Sequence, residues 1–388
     1  MMKNLELLSP AGDFKKLKYA IAYGADAVYA GLNHFGLRAT SKNFSLQTLR
    51  EATEYVHSKN KRIYVTLNAY LYNDDFEKIK EILEELKKIK VDAVIISDPG
   101  LLYTINEIEH NFEIHLSTQA NCTNKSAAKF WEENGVDRII LAREVRLKDI
   151  KEIKENVDIK IETFVHGAMC MAYSGRCILS AYINGRSANR GLCTQPCRWE
   201  YELYEKSHDE FFPVSQDERG TYILSSKDMK MIEHLEKLKK VGIDSVKIEG
   251  RTKSIYYVAA VTRAYKKAIE GKEYGDELEK IDHREYFTGF YFDGVQPQDF
   301  KKKSHKGMKF CGEFLYNEGD YGVFVAKNYF TDEFELEVIT PTRTIKLNPK
   351  FDIKIDDSWI SSGRIDTNKI FRVPGNYEEF SLIRGKKC

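Results

Sequence analysis

Eight short apolar runs, most of them separated by helical periodicity, restrict this chain more than any other feature. They are ELLSPAG (6–12), AVYAGL (27–32), RIYVTLN (62–68), AVIISDPG (93–100), IHLSTQ (114–119), RIILAR (138–143), IKIETFVHG (159–167) and SVKIEG (245–250). Most are nearly continuous in apolarity and rich in β-branched or aromatic residues, as strands of a parallel sheet covered on both faces must be. Between them, KIKEILEELKKIK places Ile79, Ile82, Leu83, Leu86 and Ile89 on one helical face. Asp13 reads as the N-cap of the first helix and Gly24 as its C-terminal stop. Strand–helix alternation of this length predicts a closed (β/α)8 barrel of the TIM type over residues 1–275.

An internal echo supports that reading. YGADAVYAG, IKVDAVIIS, NGVDRIILA and VGIDSVKIE carry Asp26, Asp92, Asp137 and Asp244 in register, each at the entry to an even-numbered strand. Either the barrel is built from repeated βαβα units, or Gly-x-Asp is a common helix-to-strand turn; both point to α/β. TKSIYYVAAVTRAYKKAIEG (252–271) reads as the closing helix. Residues 276–307 read as a linker whose end overlaps the basic run KKKSHKGMK (301–309). Over 308–388, short alternating runs separated by Gly, Asn, Asp and Pro predict a small all-β domain, a β-barrel.

A long insertion, about 168–240, follows the seventh strand and holds C-x6-C-x15-C-x3-C: Cys170, Cys177, Cys193 and Cys197. Active sites of such barrels form at the C-terminal ends of the strands, so connectivity alone places these thiols over the catalytic face. The 60 Lys and Arg balance 59 Asp and Glu, so any nucleic-acid contact must come from local patches. No run is long and apolar enough for a membrane span, and the N-terminus shows no signal-peptide pattern, so a soluble, cytoplasmic protein is expected. In a reducing compartment, four converging thiols indicate zinc or an iron–sulfur cluster, and spacing alone leaves both open. Unligated buried thiols are the third reading.

The insertion also carries Arg176, Arg186, Arg190 and Arg198 among Tyr173, Tyr182 and Trp199. Arginine beside aromatics suits single-stranded RNA or a small anion, or else offsets the charge of a thiolate cluster. The strand ends add Asn33, Arg38, Asn68, Asp98, Gln119, Arg143, His166, Glu249 and Arg251 as polar candidates. Among these, Arg38 and Arg251 have the chemistry to clamp a carboxylate.

ELLSPAGDFKKLKYAIAYGADAVYAGL resembles the opening of the collagenase-like peptidase family of unknown catalytic type, peptidase family U32. ETFVHGAMCMAYSGRCILS resembles its cysteine signature, and GLCTQPCRWEY, LSSKDM, DSVKIEGRTKSIYYVA and REYFTGFYFD resemble further blocks. The resemblance implies a [4Fe-4S] cluster on Cys170, Cys177, Cys193 and Cys197, with zinc as the alternative metal. It also implies oxygen-independent hydroxylation rather than proteolysis. The length and architecture resemble the branch that forms 5-hydroxyuridine at the tRNA wobble position with prephenate; other branches hydroxylate an rRNA cytidine or a quinone precursor.

On that reading the partners are the anticodon arm of a tRNA and a small anionic co-substrate. Arg38, His166, Glu249 and Arg251 are candidate catalytic residues, and Tyr173, Arg176, Arg186, Arg190 and Arg198 candidate RNA contacts. The rival readings are a peptidase, for which Cys177 and His166 offer a dyad but no HExxH or GxSxG motif exists, and a non-catalytic RNA-binding protein with structural zinc.

Overall fold

The structure, a computed structural model, describes residues 5–33, 35–37, 43–170, 172–199, 203–205, 210–212, 215–217, 220–222, 227–292, 305–348, 350–356 and 358–387. Strands β1 (Glu6–Ala11), β2 (Ala27–Gly31), β3 (Arg62–Leu67), β4 (Ala93–Ile96), β5 (Glu113–Leu116), β6 (Arg138–Ile140), β7 (Lys160–Ala168) and β8 (Ser245–Ile248) pair in parallel in chain order. The β8–β7 pairing closes the ring. The expected (β/α)8 barrel is therefore present.

Local chemistry fixes the connecting helices. Asp13 accepts the Lys16 amide at 2.8 Å and starts α1 (Phe14–Ala22). A Ser45–Thr48 capping box starts α2 (Leu46–Ser58). The apolar stripe of α3 (Phe76–Ile89) is buried at all five positions named above.

The four register aspartates explain why the echo exists. Each uses its backbone N–H and its carboxylate on one residue of the preceding odd strand. Asp26 serves Leu7, Asp92 serves Ile63, Asp137 serves Ile114 and Asp244 serves Ile161, with carboxylate–amide distances of 3.1, 2.8, 2.7 and 2.9 Å. Their carbonyls accept from the first residue of the next odd strand, namely Arg62, Glu113, Lys160 and, closing the circle, Glu6. One residue thus joins three strands at the N-terminal rim, four times around the barrel. This rim is the stability face, opposite the loops.

The C-terminal region is an eight-stranded antiparallel sheet. Its spatial order is Thr344–Leu347, Phe334–Ile339, Leu382–Lys387, Lys309–Glu318, Tyr321–Ala326, Ile370–Pro374, Phe351–Ile355 and Ser358–Ser362. Its two end strands do not pair among the described residues. Bulges at Phe310/Gly312 and Phe314/Tyr316 bend the long strand Lys309–Glu318 around a core built on Phe324, Phe330, Phe351 and Phe371. Ile339 and Leu382 belong instead to the barrel core, so the two parts share packing. At that junction Glu277 lies between two buried guanidiniums, Arg263 at 2.7 Å and Arg384 at 2.6 Å. Among the described residues no helix is long and apolar enough to cross a membrane.

Candidate active site and cysteine cluster

The C-terminal ends of the strands open into a cavity of about 520 Å³. Its wall includes Cys170, Cys177, Cys193 and Cys197 together with Asn68, Gln119, Arg143, Lys247, Glu249 and Arg251. Residues 77 positions apart or more in the chain, such as Lys247 and Cys170, therefore face one space, as strand-end connectivity requires.

The insertion is fastened to this mouth by specific contacts. Tyr70 donates to the carbonyls of Gln119 and Gly175, both at 3.2 Å. Gly175 has φ +75°, and a Cβ there would lie 2.0 Å from the Gln119 oxygen, so no other residue allows this approach. Glu144 accepts the Ser174 amide at 3.0 Å. Arg190 pairs with Asp75 at 2.6 Å, donates to the Tyr70 carbonyl and stacks over the Tyr72 ring. Its hydrogen bond holds the Asp75 carboxyl below its usual range. Arg190, expected at an RNA surface, thus anchors the insertion.

The other candidates divide clearly. Arg251 is buried; its Nη2 donates to Asn43 at 2.5 Å and its Nη1 to Thr66 at 3.3 Å. Gly31 leaves room for it, since a Cβ there would lie 2.0 Å from Nη2. Glu249 accepts from Tyr29 at 3.2 Å and from the Gly250 amide at 2.8 Å. Arg143 donates to the Ala168 carbonyl at 3.1 Å and lies over the Phe164 ring. Arg143 and Asn68 line the cavity, and Arg143 Nε and Asn68 Oδ1 are buried with no hydrogen-bond partner among the described residues. Such orphans are unusual in a folded protein and fit a polar ligand.

Tyr173 and Arg176 are exposed at the cavity rim, and Arg186 is exposed farther along the insertion. Asn33 is exposed and does not line the cavity. Asp98 is a helix cap, accepting the Leu101 amide at 3.1 Å before Pro99. Arg38 and the side chain of Arg198 lie outside the described residues.

His166 is not among the cavity-lining residues. Glu162 and Phe164 point inward, so plain alternation would send His166 inward too. A bulge breaks the register, pairing Phe164 with Lys247 but His166 with Ile248. The ring therefore turns outward, among Tyr257, Tyr265 and Tyr286. Burial there pushes its pKa down to about 3.

Sequence reasoning did not single out the charged barrel interior. Lys247 on the cavity wall pairs with Glu162 at 3.1 Å, Glu162 with Arg138 at 2.9 Å, and Arg138 with Glu6 at 2.5 Å. Although burial favours the neutral acid, the Lys247 and Arg138 charges bring Glu162 down to about 2. Burial pushes the Lys247 amine down as well. The signal was available: SVKIEG, IKIETF and RIILAR each place a charge inside an otherwise buried apolar run.

A family model described as Peptidase family U32 matches residues 12–301. The chain belongs to this family. As a U32 member it is 40% identical over 355 residues to "tRNA hydroxylation protein P1" of Bacillus subtilis, covering 87% of this chain and 84% of that protein. It is 39% identical over 397 residues to "tRNA hydroxylation protein P" of Escherichia coli, covering 88% and 87%. It is also 40% identical over 275 residues to the Escherichia coli "23S rRNA 5-hydroxycytidine C2501 synthase", covering 70% of this chain and 40% of that one. The expected family resemblance is borne out.

Proposed function

We propose that this U32 protein hydroxylates C5 of a tRNA wobble uridine, using a [4Fe-4S] cluster on Cys170, Cys177, Cys193 and Cys197, with prephenate as co-substrate and no molecular oxygen. The observation that carries the reading is that all four cysteines line one cavity with buried, incompletely paired polar groups. The names of the tRNA- and rRNA-modifying relatives support hydroxylation of a pyrimidine in RNA.

The preference for a cluster over zinc at these cysteines rests on the family resemblance, since four thiols suit either metal. The Gln195 amide also points at the Cys193 sulfur at 3.4 Å, a contact that stabilises a thiolate ligand. When bound, the cluster supplies redox and Lewis-acid chemistry to the cavity.

The chain's own groups do the rest. Arg251, oriented by Asn43 and Thr66, and Arg143, oriented by the Ala168 carbonyl, offer cationic N–H donors to the carboxylates of the co-substrate. Glu249, held by Tyr29, is placed to accept a proton at the cavity wall. Outside, Tyr173 at 64% exposure and Tyr182 at 85% form a stacking platform for an unstacked base, with Arg176 and Arg186 for phosphates.

The test is anaerobic purification with iron, sulfide and zinc assays, then incubation with unmodified tRNA and prephenate. A gain of one oxygen on the wobble uridine, abolished in Cys170→Ala along with the bound iron, is the expected result. A colourless protein holding one zinc at the cysteines would overturn the mechanism. A peptidase would need Cys177 beside a base, and His166 lies outside the cavity wall, buried among three tyrosines.

A further inference from the structure

Away from the cavity, where the chain turns from the barrel into the β-domain, a second group of metal-binding side chains comes together. Glu279 Oε, one nitrogen of His283 and one of His305 all lie within 4.8 Å of one another. Local structure brings them there. His283 and His305 exchange both backbone hydrogen bonds across an isolated antiparallel bridge, at 3.2 and 2.8 Å. Directly opposed residues project to the same face, and their rings sit 4.7 Å apart. Glu279 precedes His283 by four residues on a turn.

The hydrogen bonds around the group spend one N–H of each imidazole on a backbone carbonyl, so the other ring nitrogen of each carries a lone pair. His283 Nδ1 donates to the Arg284 carbonyl at 2.6 Å, which assigns its lone pair to Nε2. That Nε2 is buried without a hydrogen-bond partner, although Glu279 Oε2 is only 3.3 Å away. A lone pair facing a carboxylate oxygen at this range is repulsive unless a proton on Nε2 or a metal cation lies between them. His305 Nε2 donates to the Glu279 carbonyl at 3.0 Å, leaving Nδ1 as its donor atom. Lys230 holds the other carboxylate oxygen of Glu279 at 3.1 Å and is itself balanced by Glu233 at 3.0 Å. Tyr286 stacks on His283 at 3.8 Å and fixes its ring plane. Backbone carbonyls that fix each imidazole's tautomer are the usual outer support of a histidine metal site.

We propose that Glu279, His283 and His305 bind one divalent zinc ion, with water as the fourth ligand. Two imidazoles and a carboxylate are a donor set suited to zinc, and three protein ligands leave one position open. Glu279 and His305 also line a cleft of about 390 Å³ together with Asp276, Met308 and Glu335. The ion fastens the segment entering strand Lys309–Glu318 to the end of the barrel. It is a structural clip, separate from the cysteine cavity and independent of the function proposed for it.

The experiment uses the full chain, purified anaerobically with its cysteines loaded with iron and sulfide, and titrated with zinc against a chromophoric chelator. One zinc per chain is expected, with affinity weakened at least about tenfold in His305→Ala and in Glu279→Gln. Both substituted side chains are exposed, so folding is not at risk. Cobalt in the same site should give visible bands without thiolate charge transfer. Zinc binding that survives both substitutions, or a chain that takes up no zinc beyond the cysteine site, would overturn the proposal; so would thiolate charge transfer from bound cobalt.

Discussion

Removing the carboxylate of Glu277 should expose how the β-domain is held to the barrel. Its oxygens contact Arg263 Nη2 at 2.7 Å and Arg384 Nη2 at 2.6 Å and Nη1 at 3.3 Å. Both arginines are almost fully buried. Arg384 keeps Glu337 at 2.7 Å, whereas the other hydrogen-bond partners of Arg263 among the described residues are the Thr340 and Arg343 carbonyls and the Thr344 hydroxyl, all neutral. Glu277→Gln therefore leaves a buried guanidinium without its countercharge, a loss of about 3–5 kcal/mol. If all 388 residues melt together, an unfolding entropy of about 0.8 kcal/mol per kelvin turns about 4 kcal/mol into a Tm drop of ~5 °C. If the sheet over residues 309–387 melts alone, its entropy is about fivefold smaller and the drop exceeds about 20 °C. Calorimetry distinguishes the two. A Tm within about 1 °C of the parent would refute the reasoning, because it would mean the buried charge finds water or another partner at no cost.

Gly31→Ala should displace Arg251 from Asn43 and Thr66, losing hydrogen bonds to a charged group at about 1.5–3 kcal/mol, lowering turnover at least tenfold and Tm by about 2–4 °C; wild-type kinetics would exclude Arg251 from the reaction. Arg190→Ala should cost only about 1 kcal/mol, because the pair with Asp75 is part-exposed, yet make the cysteine insertion more sensitive to limited proteolysis; an unchanged cleavage pattern counts against the anchor. Burial holds His115 near pKa about 4 and His166 near about 3, below the unfolded value of about 6.5. Both are neutral in the fold, so their contribution is complete above about pH 6.5 and is lost as pH falls toward 4 and then 3, on the order of 3–5 kcal/mol each. Denaturant midpoints that stay flat between pH 7 and pH 4 would contradict this.

The barrel was legible because its strands are buried on both faces and so appear as unbroken apolar runs, and because Asp26, Asp92, Asp137 and Asp244 recur where one geometry recurs. The cysteines were legible from spacing and from their place after the seventh strand. Three features were not. Asp98 looked like a polar candidate at a strand end, although Asp-Pro at the head of a helix is equally a cap signal. His166 could not be placed by counting alternate residues, because the bulge that turns it outward depends on how β8 pairs with β7. The Glu277 junction joins residues up to 107 positions apart, and no local periodicity reports such a contact.

The same pairing explains why β7 tolerates so large an insertion. β7 runs two residues beyond its last contact with β8, and the short strand Asp228–Lys230 returns antiparallel onto Ala168, Gly167 and His166. The chain thus leaves the barrel at Ala168 and re-enters it at Asp228, a paired neighbour. Arg284 grips Asp228 at 2.7 Å, and Tyr286–Phe287 adds a further strand outside it. Everything between the two points can change without altering the barrel's closure, because its ends are fixed by one hydrogen-bonded pair. Within that interval, Gly175 and Arg190 fix only where the cysteines sit over the cavity. The exposed tips around Tyr182 are left to vary with whatever the protein must grip. Loss of the Asp228–Arg284 pair should therefore disturb the cysteine site before it disturbs the barrel.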